Sequence, residues 1–109
     1  MNTVKELNDI IDLINSKNML LIYFSGKNCG VCKAVKPKVI ELLKKFPNIV
    51  GVEVDVENSN DISAQFNIFT NPSLLIFIEG RETIRELRYL SILELEKKIS
   101  RFYDMYYSQ

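Results

Sequence analysis

The sequence predicts an α/β fold in which helices cover a small mixed β-sheet. Three observations carry this expectation. Two short apolar runs, Met19–Phe24 and Ser73–Ile78, are continuous, as in strands buried on both faces. Between and around them, apolar residues recur at helical spacing. A third segment, Ile49–Val56, alternates with period two. At 109 residues the chain has ordinary length for one domain, residues 1–109, and needs no metal or disulfide staple to fold.

The elements follow in order. Thr3 and Glu6 form a capping-box pattern, and Val4, Leu7, Ile10, Ile11 and Ile14 follow at helical spacing, predicting a first helix. Met19–Phe24 is the first buried strand, broken by Ser25-Gly26-Lys27-Asn28. From Gly30 a stripe of Val31, Ala34, Val35, Val39, Leu42, Leu43 and Phe46 predicts a helix stopped by Pro47 and Asn48. Pro37 falls inside it and is expected to kink it. Ile49–Val56 places Val50, Val52, Val54 and Val56 on one face and Gly51, Glu53 and Asp55 on the other. Asn58–Phe66 reads as a short polar helix with Ile62 and Phe66 inward. Ser73–Ile78 is the next buried strand, and Glu79-Gly80-Arg81 turns tightly into an antiparallel edge strand over Glu82–Arg88. Ser91 with Glu94 repeats the capping box and opens a last helix with Ile92, Leu95, Ile99, Phe102 and Tyr106 on one stripe.

Composition narrows the function. Fourteen basic residues balance fourteen acidic ones, so no overall field draws in nucleic acid or an anionic membrane. The chain has no histidine, which excludes Ser–His and Cys–His triads and histidine-based zinc sites. Met19–Phe24, the longest apolar run, is far too short to span a membrane, and the N-terminus lacks the basic-then-apolar order of a signal peptide. A cytoplasmic location is expected. In that reducing compartment a close cysteine pair is more often redox-active or metal-binding than structural.

The pair is Cys29-Gly30-Val31-Cys32, where a buried strand hands over to a helix. Cys29 is therefore expected at the helix N-terminus, where unpaired backbone N–H groups and the positive end of the helix dipole favour a thiolate. Lys27, Lys33 and Lys36 add positive charge nearby, whereas Lys38, Lys44 and Lys45 read as a solvated helix face. Two residues between the cysteines, in a first helical turn, bring both sulfurs within disulfide reach, and Cys32 is expected to be the more buried. Two thiolates without histidine supply half a zinc shell, so no metal is expected.

With these residues placed, the chain resembles the thioredoxin-like thiol–disulfide oxidoreductases over nearly its whole length. Cys29-Gly30-Val31-Cys32-Lys33 resembles the redox motif of that family. Pro37 stands where the family kinks its active-site helix, Asn71-Pro72-Ser73 where it keeps a cis-proline, and Gly80 at a later glycine. The resemblance implies a thioredoxin fold of about four strands and four helices, the family's first strand short or missing after Met1-Asn2. It implies that Cys29 attacks a substrate disulfide and Cys32 resolves the mixed disulfide. Gly30, Val31, Asn71 and a cis-Pro72 would bind the substrate chain. Protein disulfides are the implied substrates and a thioredoxin reductase the implied electron donor. No bound cofactor is implied beyond the reversible Cys29–Cys32 disulfide, and a monomer is expected. Two alternatives are a glutathione-coupled, glutaredoxin-like reductase and a redox-inactive adaptor module.

Three positions depart from the family pattern. Tyr23 stands where relatives carry a buried aspartate, and a neutral phenol is a poor base. Tyr23 is therefore read as core packing, and Glu53, on the polar face of Ile49–Val56, as the candidate proton acceptor. Asn28 replaces the tryptophan before the first cysteine, and Asn71 replaces the usual apolar residue before the proline. A polar cleft of this kind implies a narrower or different substrate set. With so little chain before the first helix, the Ile49–Val56 strand is also expected to be a sheet edge defended by Glu53 and Asp55.

Overall fold

The computed structural model describes residues 1–87 and 90–107. Its elements are β1 (Asn2–Thr3), α1 (Leu7–Ser16), β2 (Met19–Ser25), α2 (Gly30–Lys44), β3 (Val50–Asp55), α3 (Asn60–Gln65), β4 (Ser73–Ile78), β5 (Arg81–Leu87) and α4 (Ile92–Tyr107). The sheet order is β1-β3-β2-β4-β5, with β1, β3 and β2 mutually parallel and β4 and β5 antiparallel additions. Among the described residues, no helix is long and apolar enough to cross a membrane.

Two apolar layers hold the helices to the sheet, and the pleat of β2 assigns them. Met19, Leu21 and Tyr23 face α2 and α4, packing with Val39, Leu42, Leu95 and Ile99. Leu20, Ile22 and Phe24 face α1 and α3, packing with Ile10, Ile14 and Ile62. All six of these β2 side chains are at most 1% exposed, which is why the run is continuous rather than alternating. β3 alternates as expected: Val52 and Val54 are buried on the α1/α3 face, while Glu53 and Asp55 turn to the α2/α4 face. That places Glu53 beside Tyr23, its register partner.

Four expectations need correction. The sheet has five strands, because Asn2 and Thr3 pair with Val52 and Glu53 and the Val4 N–H donates to the Glu53 carbonyl at 2.8 Å. β3 is thus covered over part of its length and is not the bare edge the sequence suggested. Thr3 does not cap α1: the N-cap is Glu6, without a side-chain cap hydrogen bond. The open ladder groups of β3 offer backbone pairing that a single hydroxyl cap cannot match. Third, the short polar helix is α3, Asn60–Gln65, flanked by turns rather than running from Asn58 to Phe66. Finally, the edge strand is Arg81–Leu87, one residue earlier than expected at its start; Arg88 lies outside the described residues. By contrast, Ser91 does act at α4, its Oγ accepting from the Glu94 N–H at 3.3 Å. Between β4 and β5, Glu79 and Gly80 take φ of 51° and 78°, the two positive values a two-residue I′ turn requires.

Candidate functional site

The end of β2 and the start of α2 build the site. Cys29 is the N-cap of α2 with extended backbone (φ −103°, ψ 98°), and its Sγ accepts the Cys32 N–H at 3.1 Å. The sulfur thus occupies the place a serine or aspartate oxygen usually fills, among N–H groups with no helical partner. Cys29 and Cys32 form a disulfide, their Cα atoms 5.2 Å apart. Cys29 is partly exposed and Cys32 is 2% exposed, the asymmetry the sequence suggested. Val31, between them, is 60% exposed on the rim.

Pro72 faces this pair from the start of β4. The Asn71–Pro72 bond is cis, and Gly26, Asn28, Cys29, Gly30, Val31 and Glu57 line one cleft of about 430 Å³ with Asn71 and Pro72. The structure therefore brings Cys29, Gly30, Val31, Asn71 and Pro72 together. Glu53 and Cys32 line a different cavity, about 260 Å³, behind the disulfide.

That second cavity holds the carboxylates Glu53 and Asp55, and Tyr23 lies next to Glu53 in the sheet. Tyr23 is fully buried, and its hydroxyl donates to the Cys32 carbonyl at 2.8 Å. Burial, reinforced by the Glu53 charge, pushes its pKa up to about 12, so Tyr23 braces α2 and is not a base at neutral pH. Glu53 has a side chain 12% exposed; its Oε2 accepts from the Ser25 hydroxyl at 2.7 Å and its Oε1 lies 2.7 Å from the Lys36 ammonium. Asp55 is committed elsewhere: its carboxylate accepts from the Glu57 and Asn58 N–H groups and the Asn58 amide, holding the turn after β3. Among the described residues, no group of three or more His, Cys, Asp and Glu could hold a metal ion.

Sequence reasoning missed three features. Lys36 was expected to add its charge to the cysteines, but that charge is compensated by Glu53. The spacing held a signal, since Lys36 is four residues from Cys32 and thus on the same helical face. Ser25 became visible as a Glu53 partner only through the β2–β3 register. Gly26 lies against the Asn71 amide, a contact spanning 45 residues of sequence that no local pattern reveals.

A disulfide-forming pair at a helix N-terminus, with a more buried second sulfur and a cis-proline across the cleft, defines a thiol–disulfide oxidoreductase. Comparison with known proteins agrees. The thioredoxin family model matches residues 2–100. The chain is 34% identical over 109 aligned residues to the thioredoxin-like protein YdfQ of Bacillus subtilis, covering 94% of this chain and 97% of that one. Among solved structures, oxidised mitochondrial thioredoxin 3 from Saccharomyces cerevisiae superposes with a TM-score of 0.85 at 25% identity, covering 93% and 94% of the two chains. Fasciola hepatica thioredoxin gives 0.85 at 26%, covering 93% and 98%. The chain belongs to the thioredoxin family, and it is a protein-disulfide reductase of that family with a five-stranded thioredoxin fold.

Proposed function

We propose that residues 1–109 act as one domain that reduces disulfides in other proteins, Cys29 attacking and Cys32 resolving. The observation that carries this assignment is the asymmetry of the pair: the partly exposed Sγ is the one held among the α2 N-terminal N–H groups. In the reduced protein the Cys29 thiolate attacks one sulfur of the substrate disulfide, expelling the other as a thiolate that takes up a proton. Cys32 then loses its proton, attacks Cys29 and releases the second substrate thiol. Two electrons leave the protein dithiol, which ends as the disulfide.

Glu53 is the proposed acceptor of the Cys32 proton, since it shares the cavity behind the disulfide and its cationic partner Lys36 is a half-exposed side chain, whereas Tyr23 keeps its proton at neutral pH and Asp55 is tied to the backbone of the turn after β3. The substrate chain lies along Gly30, Val31, Asn71 and Pro72. Electrons come from a thioredoxin reductase, the protein works in the cytoplasm as a monomer, and it needs no bound cofactor.

Trapping tests the assignment. Cys32→Ser is expected to accumulate mixed disulfides through Cys29, releasable by dithiothreitol, and Cys29→Ser to accumulate none. Capture of the same partners with both cysteines replaced would instead make the chain an adaptor. Recycling by glutathione rather than by a reductase would make it glutaredoxin-like. For Glu53, the expected result is slower mixed-disulfide resolution in Glu53→Gln, with the first attack unchanged.

A further inference from the structure

The surroundings of the disulfide are divided by charge. Behind Cys32 the cavity is lined by Lys27, Lys33 and Lys36, and its two acids are already engaged, Glu53 by Lys36 and Asp55 by the turn. On the Cys29 side the division reverses. Glu57 is the one charged side chain among the described residues lining the Cys29 cleft. Past Asn71 that cleft meets a second hollow of about 600 Å³ along α3, in which Asp61 is the one charged side chain among the described residues. Asn71 lines both, so the two hollows form one surface running from Cys29 to Phe69, which is 82% exposed. Among the described residues, neither Glu57 nor Asp61 has an ion-pair partner.

A polypeptide that presents its cysteine to Cys29 must lay neighbouring residues along this surface. Its side chains there meet two carboxylates without an ion-pair partner and, among the described residues lining the surface, no cation. We propose that the cleft selects disulfide-bearing polypeptide segments carrying a basic side chain close to the reacting cysteine, with Glu57 and Asp61 as the specificity-determining residues. The inference rests on Cys29 being the attacking sulfur, and it gives a chemical class to the narrower substrate set that Asn28 and Asn71 imply. Both acids are exposed, so the preference acts through long-range attraction and is graded rather than absolute.

Three peptides joined as disulfide dimers test it, identical except for Lys, Gln or Glu two residues from the cysteine and carrying self-quenched fluorophores. Bis(2-hydroxyethyl) disulfide, small and uncharged, serves as the reference substrate. Reduced full-length protein is expected to act on them in the order Lys, Gln, Glu, with single-turnover second-order rate constants about three- to fivefold apart per step at low ionic strength. The spread should collapse at about 0.5 M salt, where the screening length is only about 4 Å. In Glu57→Gln combined with Asp61→Asn the Lys-to-Glu ratio should approach one. That ratio is taken within each variant, so a change in intrinsic thiolate reactivity cancels. Equal rates for the three peptides, the reverse order, or an order that survives the double substitution would overturn the proposal. Loss of activity on the small disulfide in Cys32→Ser or Cys29→Ser leaves it standing, whereas a Cys29→Ser protein that still reduces peptides refutes the attacking role on which it rests.

Discussion

Gly26 and Asn71 are fitted to each other across the cleft: a Cβ on residue 26 would lie 2.5 Å from Nδ2 of Asn71. Glycine at 26 is thus the counterpart of a polar, branched side chain before the cis-proline. Gly26→Ala is expected to push the Asn71 amide away from the cleft wall and lower the ratio of polypeptide to small-disulfide reduction rates by about threefold, with a stability loss of about 1 kcal/mol. Adding Asn71→Ala removes the colliding group, so the double variant should be more stable than the sum of the single losses predicts. Urea unfolding of the four proteins measures this coupling, and strict additivity would count against the fit.

The Lys36–Glu53 pair yields a directional prediction because its members differ in exposure, 41% against 12%. Lys36→Gln strands the less exposed carboxylate, leaving it the Ser25 hydroxyl, whereas Glu53→Gln leaves an ammonium that water can solvate. Lys36→Gln should therefore cost about 1 kcal/mol and Glu53→Gln less, after allowance for screening of the exposed lysine. Chemical denaturation ranks the two, and a larger loss from Glu53→Gln would contradict the argument. Kinetics separates the roles further: Glu53→Gln should slow resolution, and Lys36→Arg should keep it near the parent rate.

Tyr23 supplies a pH dependence. Its pKa is raised from 10.0 to about 12 by burial and by Glu53, so the folded state favours the neutral phenol. The linked stability is complete below pH 10 and is lost as pH climbs from 10 through 12. Its size is about 3 kcal/mol, each tenfold change in the ionisation constant being worth about 1.4. Tyr23→Phe forfeits the hydrogen bond to the Cys32 carbonyl, about 1 kcal/mol at neutral pH, and should then lose less stability across that alkaline range. Tyr106, also raised to about 12 chiefly by its hydrogen bond to Glu79, remains in both proteins and does not obscure the comparison. An unchanged alkaline slope in Tyr23→Phe would refute the assignment.

The sequence made visible whatever depends on local pattern: the buried runs of β2 and β4, the valine face of β3, the Glu79-Gly80 turn, and the cysteines at the start of α2. Position in the chain was enough to place Cys29 and Cys32, since a strand-to-helix junction with a two-residue spacer fixes both. The contacts that tune the site were out of reach because they join distant segments. Glu53 was visible as an acid on the correct face, but its ties to Ser25 and Lys36 depend on how α2 crosses β3. Likewise, Glu57 looks like an ordinary turn residue until the fold sets it beside Cys29.

The two capping boxes show the same limit in a form that can be measured. Thr3/Glu6 and Ser91/Glu94 are equivalent as patterns, yet only Ser91 accepts a hydrogen bond from the N–H three residues on. Thr3 is instead drawn into β1, with an exposed side chain, because the backbone groups of β3 lie within reach. Ser91→Ala should therefore cost about 1 kcal/mol, lowering the melting temperature by about 4 °C. Thr3→Ala should cost under about 0.5 kcal/mol, as for a surface position without a special contact. Thermal unfolding of the two variants beside the parent decides the matter: equal losses would mean that Thr3 caps α1 in solution and that β1 does not hold the edge of the sheet.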